Sequence, residues 1–256
     1  MPTLKWIAAT TVLIYLVFVI ALYFMQRQLL YFPRNVSQYE AEHNYELQHD
    51  GVTLRGWVVN PGRESAIIYY GGNAERIDYY IDSFKLLFSA HTIYFVNYRG
   101  YGKSEGTPSE KALYADALAV FDNIKDKHKN ISLIGKSLGS GIASYVAANR
   151  PVENIVLVTP YDSIVNVAKV HYPLFPVSLI MTDRYESWKH AQHITARTLI
   201  ISAQHDQIIP AESTQMLASY FDPNLLTQTQ IESTDHNSIS GEPLYYEVLA
   251  DFFTRK

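Results

Sequence analysis

The chain contains no cysteine. This excludes disulfide bridges, thiolate metal sites and a cysteine nucleophile, while leaving reducing and oxidising compartments equally open. There is no block of like charges either, and a net charge of −4 over 256 residues leaves no basic footprint for nucleic acid. The pattern G-x-x-x-x-G-K-[ST] is missing, so the glycine pair at 71–72 has no phosphate-loop context. Internal repeats and low-complexity segments are absent as well. The 20 tyrosines scatter along the chain, a distribution that suits packing more than a binding code.

Charge is also absent from one long stretch. Residues 6–25, WIAATTVLIYLVFVIALYFM, run without a charged side chain. Roughly 20 apolar residues match the hydrocarbon thickness of a bilayer, so the stretch reads as a membrane-spanning helix with Trp6 and Tyr23 near the two interfaces. A cleaved signal peptide is the rival reading. The run is too long for one, and no small-residue cleavage site precedes Gln26. Lys5 lies on one side and Arg27 and Arg34 on the other, so orientation is weakly signalled; the positive charge of the short amino terminus leans towards a non-cytoplasmic domain. The expected division is an anchor over residues 1–30 and one domain over 31–256, whose 48% hydrophobic content supports a sizeable core.

Beyond the anchor, short β-rich runs alternate with helical patterns. Residues 45–60 read as two strands joined by a turn at Asp50–Gly51. Further strands are expected over 65–70, 91–98, 131–134, 154–159, 198–202 and 226–231. Helical spacing marks residues 74–89, 113–124, 142–149 and 245–253. Such alternation implies an α/β fold, a mostly parallel central sheet flanked by helices.

The most informative segment is ISLIGKSLGSG, residues 131–141. A buried strand runs into Gly135-Lys136-Ser137-Leu138-Gly139, a G-x-S-x-G pattern, and a helix follows. Strand, sharp turn and helix form a nucleophile elbow that lifts a serine hydroxyl above the sheet. A serine hydroxyl is a weak nucleophile at neutral pH and needs a base. In a fold of this kind an acid and then a histidine follow in chain order, each after a late strand. Asp206 follows the strand TLIIS, and His236 follows LLTQTQI. Both fall at carboxyl ends of strands, where open parallel sheets place their ligand crevice. Four histidines, His43, His49, His91 and His128, precede the elbow. His171, His190 and His193 lie in a segment expected to form a cap, and His205 adjoins the acid. Asp162 is the rival acid, since it too follows a strand; Asp235, adjacent to the histidine, is a weaker one. The oxyanion of a tetrahedral intermediate needs donors. The Leu138 N–H and an amide of the loop 70–75, near Asn73, are the candidates.

With these motifs in hand, the chain resembles the α/β-hydrolase superfamily, and within it the Bem46-like and ABHD13-like membrane-anchored serine hydrolases. The resemblance rests on YGGNAE, NYRGYGKSEGTPSE, GKSLGSG, HDQIIP and DHNS, and it covers the chain from about Tyr45 onwards together with the anchor. It implies a Ser137–Asp206–His236 triad with the backbone N–H groups of Asn73 and Leu138 as oxyanion hole. Two departures stand out. Relatives commonly carry His-Gly-Asn-Ala-Gly where this chain has Gly71-Gly72-Asn73-Ala74-Glu75, and many have aspartate in place of Asn97. The run 98–102 reads as structural loop chemistry.

The expected activity is hydrolysis of an acyl ester or thioester through an acyl-enzyme, with no metal or organic cofactor. A small-molecule or lipid-like acyl substrate and the membrane are the expected partners. The apolar segment 170–181, VHYPLFPVSLIM, could line an acyl pocket, touch the bilayer or simply pack as a connector. Lys136 could meet an anionic head group or stand solvated at the elbow. A peptidase of the same fold and a non-catalytic membrane-anchored binding module are the alternatives.

Overall fold

Thirty residues, Pro2–Tyr31, form a single helix, α1. The computed structural model describes residues 2–32 and 42–254; Arg34, expected to flank the span, lies outside them. At about 1.5 Å per residue α1 is roughly 45 Å long, which exceeds the ~30 Å hydrocarbon core of a bilayer. It is long and apolar enough to cross a membrane. Side chains such as Trp6, Val12, Phe18 and Phe24 stand exposed on its surface. A helix apolar on every side and exposed in this way suits a membrane span.

Eight strands then build one sheet: β1 (Tyr45–His49), β2 (Val52–Val59), β3 (Ser65–Tyr70), β4 (His91–Val96), β5 (Asn130–Lys136), β6 (Asn154–Val158), β7 (Arg197–Ala203) and β8 (Leu226–Ile231). Their order is β1-β2-β4-β3-β5-β6-β7-β8. The β1–β2 hairpin is antiparallel, as is β2 against β4, whereas β3 to β8 run parallel. Asp50 and Gly51 both take positive φ, 48° and 73°, which a tight hairpin of matching twist demands. The helices are α2 (Ile81–Leu87), α3 (Glu110–Ile124), α4 (Leu138–Asn149), α5 (Ile164–His171), α6 (Val177–Ile180), α7 (Ser187–Ala191), α8 (Ala211–Ala218) and α9 (Pro243–Thr254).

Alternation along the strands divides the core between two faces. Ile131 and Leu133 of β5 join Phe121 of α3 and Val146 of α4 on one face. Ile134, one residue on, joins Phe84 of α2 and Leu249 and Phe252 of α9 on the other. The α/β fold, with a mostly parallel sheet covered by helices, is therefore the one expected.

One helix starts later than the sequence pattern indicates. Helical geometry expected from residue 74 begins only with a 3₁₀ turn at Ile77–Tyr80, followed by α2. Ala74 is left-handed at φ 53°, and the Glu75 carboxylate folds back to accept the Gly72 N–H at 2.7 Å. Both features hold the chain out of a helix at that point. Helix α8 carries a mixed polar face and gave no clear period.

The carboxyl end of α1 is fastened to the domain. Arg27 Nε lies 3.0 Å from Asp183 Oδ2, and the Tyr31 hydroxyl meets Asp183 and the Tyr185 hydroxyl, both at 2.9 Å. Gln26 donates to the Ile180 carbonyl at 3.1 Å and accepts the Thr182 N–H at 2.8 Å. The Tyr101 hydroxyl donates to the Tyr31 carbonyl.

Candidate active site

Strand β5 delivers Ser137 at φ 48° and ψ −116°, a conformation that L-residues rarely occupy. The surrounding fold fixes it. A Cβ on Gly135 would lie 2.4 Å from the Gly139 carbonyl oxygen, and one on Gly139 would lie 2.0 Å from the Tyr70 carbonyl oxygen. Only glycine permits β3, β5 and α4 to approach so closely. The Ser137 N–H donates to the Val158 carbonyl, and the Ser140 N–H donates to the Ser137 carbonyl, each at 2.9 Å.

The three side chains expected to act together meet at the carboxyl edge of the sheet. His236 Nε2 is 2.9 Å from Ser137 Oγ, and His236 Nδ1 is 2.8 Å from Asp206 Oδ2. The other carboxylate oxygen of Asp206 accepts the Ile208 and Ile209 amides at 2.9 and 2.8 Å. Both Asp206 and His236 have largely buried side chains. A carboxylate held by two amides fixes the imidazole ring, and with it the tautomer whose Nε2 faces the hydroxyl.

The rival residues are engaged elsewhere. Asp162 is buried and accepts from the Ser213 hydroxyl and the Asn166 side chain. Asp235 accepts the Asn237 and Ser238 amides, at 2.9 and 2.8 Å, and those amides hold its carboxyl below the ordinary aspartate range. Among the histidines, His49 meets Asp116 at 2.8 Å, His128 meets the Tyr94 hydroxyl at 2.8 Å, and His171 Nε2 meets the Ile208 carbonyl at 2.8 Å. His43 stacks on Trp57, His91 packs between Phe88 and Phe253, and His190 packs on Tyr114 and Tyr145.

Lys136 is not solvated. It is 7% exposed, and its Nζ donates to Glu75 Oε1 at 2.8 Å, the Tyr80 hydroxyl at 3.0 Å and Ser240 Oγ at 3.1 Å. Glu75 Oε2 accepts the Gly72 N–H and the Tyr69 hydroxyl. Burial alone would raise the Glu75 pKa, but the Lys136 ammonium, its hydrogen bond and the Gly72 amide outweigh it and hold the carboxyl below its ordinary range. The glutamate that ends this loop, where relatives commonly carry glycine, thus has a physical account. Glu75 fastens the loop from inside, and Lys136 balances its charge. Since Glu75 takes up the Gly72 N–H, the Asn73 amide is the next donor in the loop. The Asn73 side chain donates to the Leu30 carbonyl at 2.6 Å, so the loop is also tied to α1. Tyr98, in the run read as structural, donates to the Gly71 carbonyl at 2.7 Å. Arg99 in the same run forms a buried fork with Asp116, both bonds at 2.6 Å.

A cavity of about 210 Å³ opens over Ser137, Leu138 and Asn73. Its walls are apolar: Val167 from α5, Val177 and Ile180 from α6, Ile208 and Ile209 from the loop after β7, and Leu22, Leu29 and Leu30 from α1. The segment 170–181 therefore contributes to this pocket. The share taken by α1 was not legible in the sequence, because a uniformly apolar run does not mark which of its residues turn inward.

Comparison with known proteins gives the same fold. The model of the alpha/beta hydrolase fold family matches residues 66–179. An uncharacterized protein of Mycobacterium tuberculosis is 30% identical over 213 residues, 76% of this chain and 74% of that one. A lysophosphatidylserine lipase, ABHD12 of Danio rerio, is 28% identical over 213 residues, 66% of this chain and 56% of its own length. Among solved structures, the esterase Pf2001 of Pyrococcus furiosus superposes with a TM-score of 0.68 at 18% identity, over 86% of this chain and 97% of that one. With its elbow, its parallel sheet and its anchor, the chain belongs to the α/β-hydrolase fold family.

Proposed function

We propose that this protein is a membrane-anchored serine hydrolase that cleaves an acyl ester or thioester, with residues 1–30 as anchor and 31–256 as catalytic domain. It is an enzyme, a carboxylic ester hydrolase. The observation that carries the reading is the relay Ser137–His236–Asp206, with contacts of 2.9 and 2.8 Å, lying beneath an apolar cavity. In the proposed reaction, Ser137 Oγ attacks the acyl carbon while His236 Nε2 takes its proton. Charge develops on the carbonyl oxygen, where the Asn73 and Leu138 amides act as donors. The bond to the leaving oxygen or sulfur then breaks, and His236 returns the proton to that atom. Water, deprotonated by His236, attacks the acyl-enzyme and releases the carboxylic acid. Asp206 stabilises the imidazolium in both halves. The apolar walls and the lipase among its relatives favour a lipid-like, lysophospholipid-type ester.

The full-length protein in detergent is expected to hydrolyse p-nitrophenyl esters, with kcat/KM rising as the acyl chain lengthens from two to eight carbons or more. No turnover of any chain length would sink the reading.

The catalytic domain is assigned to the non-cytoplasmic side, on the positive charge near the amino terminus. A topology reporter at the carboxyl terminus is expected to be active only outside the cytoplasm; a cytoplasmic signal would reverse the assignment.

A further inference from the structure

We infer that the anchor helix α1 forms one wall of the acyl-binding site, so that the substrate is an ester of a single long acyl chain drawn from the leaflet beside α1. This inference rests on the proposed hydrolase reading. Four residues of α1 line the cavity that holds Ser137, namely Leu22, Gln26, Leu29 and Leu30. Their spacing of i, i+4, i+7 and i+8 puts them on a single stripe facing the domain. From Leu22 to Leu30 the helix rises about 12 Å at ~1.5 Å per residue. The stripe thus runs from the end of the uncharged segment at residue 25 up to the oxyanion loop, where Asn73 holds the Leu30 carbonyl.

The wall is held in place. Gln26 is hydrogen-bonded to both Ile180 and Thr182, and Arg27 is ion-paired with Asp183. These contacts join α1 to α6 and to the segment after it, whose Val177, Ile180 and Met181 also line the cavity. Deeper along α1, the Tyr15 hydroxyl donates to the Leu174 carbonyl at 3.0 Å, and the Tyr15 ring lies parallel to Phe175 at 6.0 Å. Tyr15 is seven residues before Leu22, about 10 Å further along the span at ~1.5 Å per residue. The cap tip therefore follows the anchor towards the hydrocarbon. Leu174 and Leu179 at this tip are 80% and 85% exposed. Exposed apolar side chains beside a membrane span belong in lipid.

The cavity consequently begins at the level of the acyl chains and ends at Ser137. At about 210 Å³ it is smaller than the usual small-molecule pocket of about 300–1,000 Å³, which leaves no room for two chains side by side. An ester lying in the leaflet slides its tail along Leu22 and Leu29 until its carbonyl carbon reaches the serine. Hydrolysis consumes one water and releases the fatty acid and the alcohol.

The test uses the full chain in phosphatidylcholine vesicles and a fluorophosphonate whose long alkyl tail ends in a diazirine. Ser137 Oγ bonds to phosphorus as fluoride leaves, with the proton passing through His236. Irradiation expels dinitrogen, and the resulting carbene inserts into a neighbouring bond, which mass spectrometry locates. Cross-links are expected within residues 22–30 and on α5 or α6. Modified Ser137 with cross-links only outside α1 would overturn the inference while sparing the hydrolase reading; an unmodified Ser137 would sink that reading itself. A second measurement compares kcat/KM for dodecanoyl and acetyl p-nitrophenyl esters. Leu29→Trp is expected to lower the long-to-short ratio about tenfold or more, as added bulk in an apolar pocket does. Phe24→Trp, on an exposed face, leaves the ratio unchanged. An unchanged ratio in Leu29→Trp would count against the wall.

Discussion

Ser137→Ala is expected to lower kcat/KM for a p-nitrophenyl ester by about 10⁴-fold or more, the loss seen when a serine–histidine relay is broken at its nucleophile. The relay acts as a unit, so His236→Ala should cost about as much, and the double variant little more. Stability gives the control. Alanine keeps the Cβ in the same strained backbone and removes only the contact between Oγ and His236, worth roughly 1 kcal/mol. The Ser137→Ala protein should therefore melt within a few degrees of the parent and yet fail to react with a fluorophosphonate. Undiminished labelling would place the nucleophile elsewhere. Asp206→Asn separates the roles further. It preserves the size of the side chain and the Ile208 and Ile209 contacts, but it deprives His236 Nδ1 of an anionic partner, so the loss should fall on kcat.

The second large effect concerns stability. Lys136→Met leaves the Glu75 carboxylate buried without its cation, a change that typically costs about 3–5 kcal/mol. For a domain of this size that is a fall in Tm of roughly 6–20 °C. Adding Glu75→Gln removes the uncompensated charge, and most of the loss should be recovered, although the loop carrying Asn73 is then held less firmly. A melt no lower in Lys136→Met than in the parent would refute the buried pair. The pH dependence follows from the direction of the shift. The folded Glu75 carboxyl titrates below its unfolded value, so the pair's stabilisation is complete above the ordinary glutamate pKa of about 4.3 and fades as pH falls through the folded value. The parent's advantage over the double variant in Tm should therefore be flat near neutrality and shrink below about pH 4.

Residue spacing made much of this molecule legible. Glycines at 135 and 139 announced the elbow because no other residue tolerates Cβ positions 2.4 and 2.0 Å from backbone oxygens. The acid and the base followed from chain order, since strands that run parallel deliver their ends to one edge. Asp206 and Asp162 both stand at that edge, and only their side-chain partners tell them apart. The misreadings share a cause. Lys136 looked like a solvated elbow residue because its partner, Glu75, lies 61 positions away. The same glutamate delayed the helix expected from residue 74 by turning back on Gly72. Pairing at that distance leaves no periodic trace. Nor does a helix apolar on every side disclose that one stripe of it lines a cavity.

The fastening of α1 has a consequence for how the protein can be handled. Trimming the chain back to residue 42 would remove the partners of Asn73 and Tyr101 together, along with two of the groups that satisfy Asp183, whose carboxylate is almost wholly shielded from water. A shortened, freely diffusing version would present an open furrow where Leu29 and Leu30 had stood. In this molecule the segment that moors the enzyme also completes its shape.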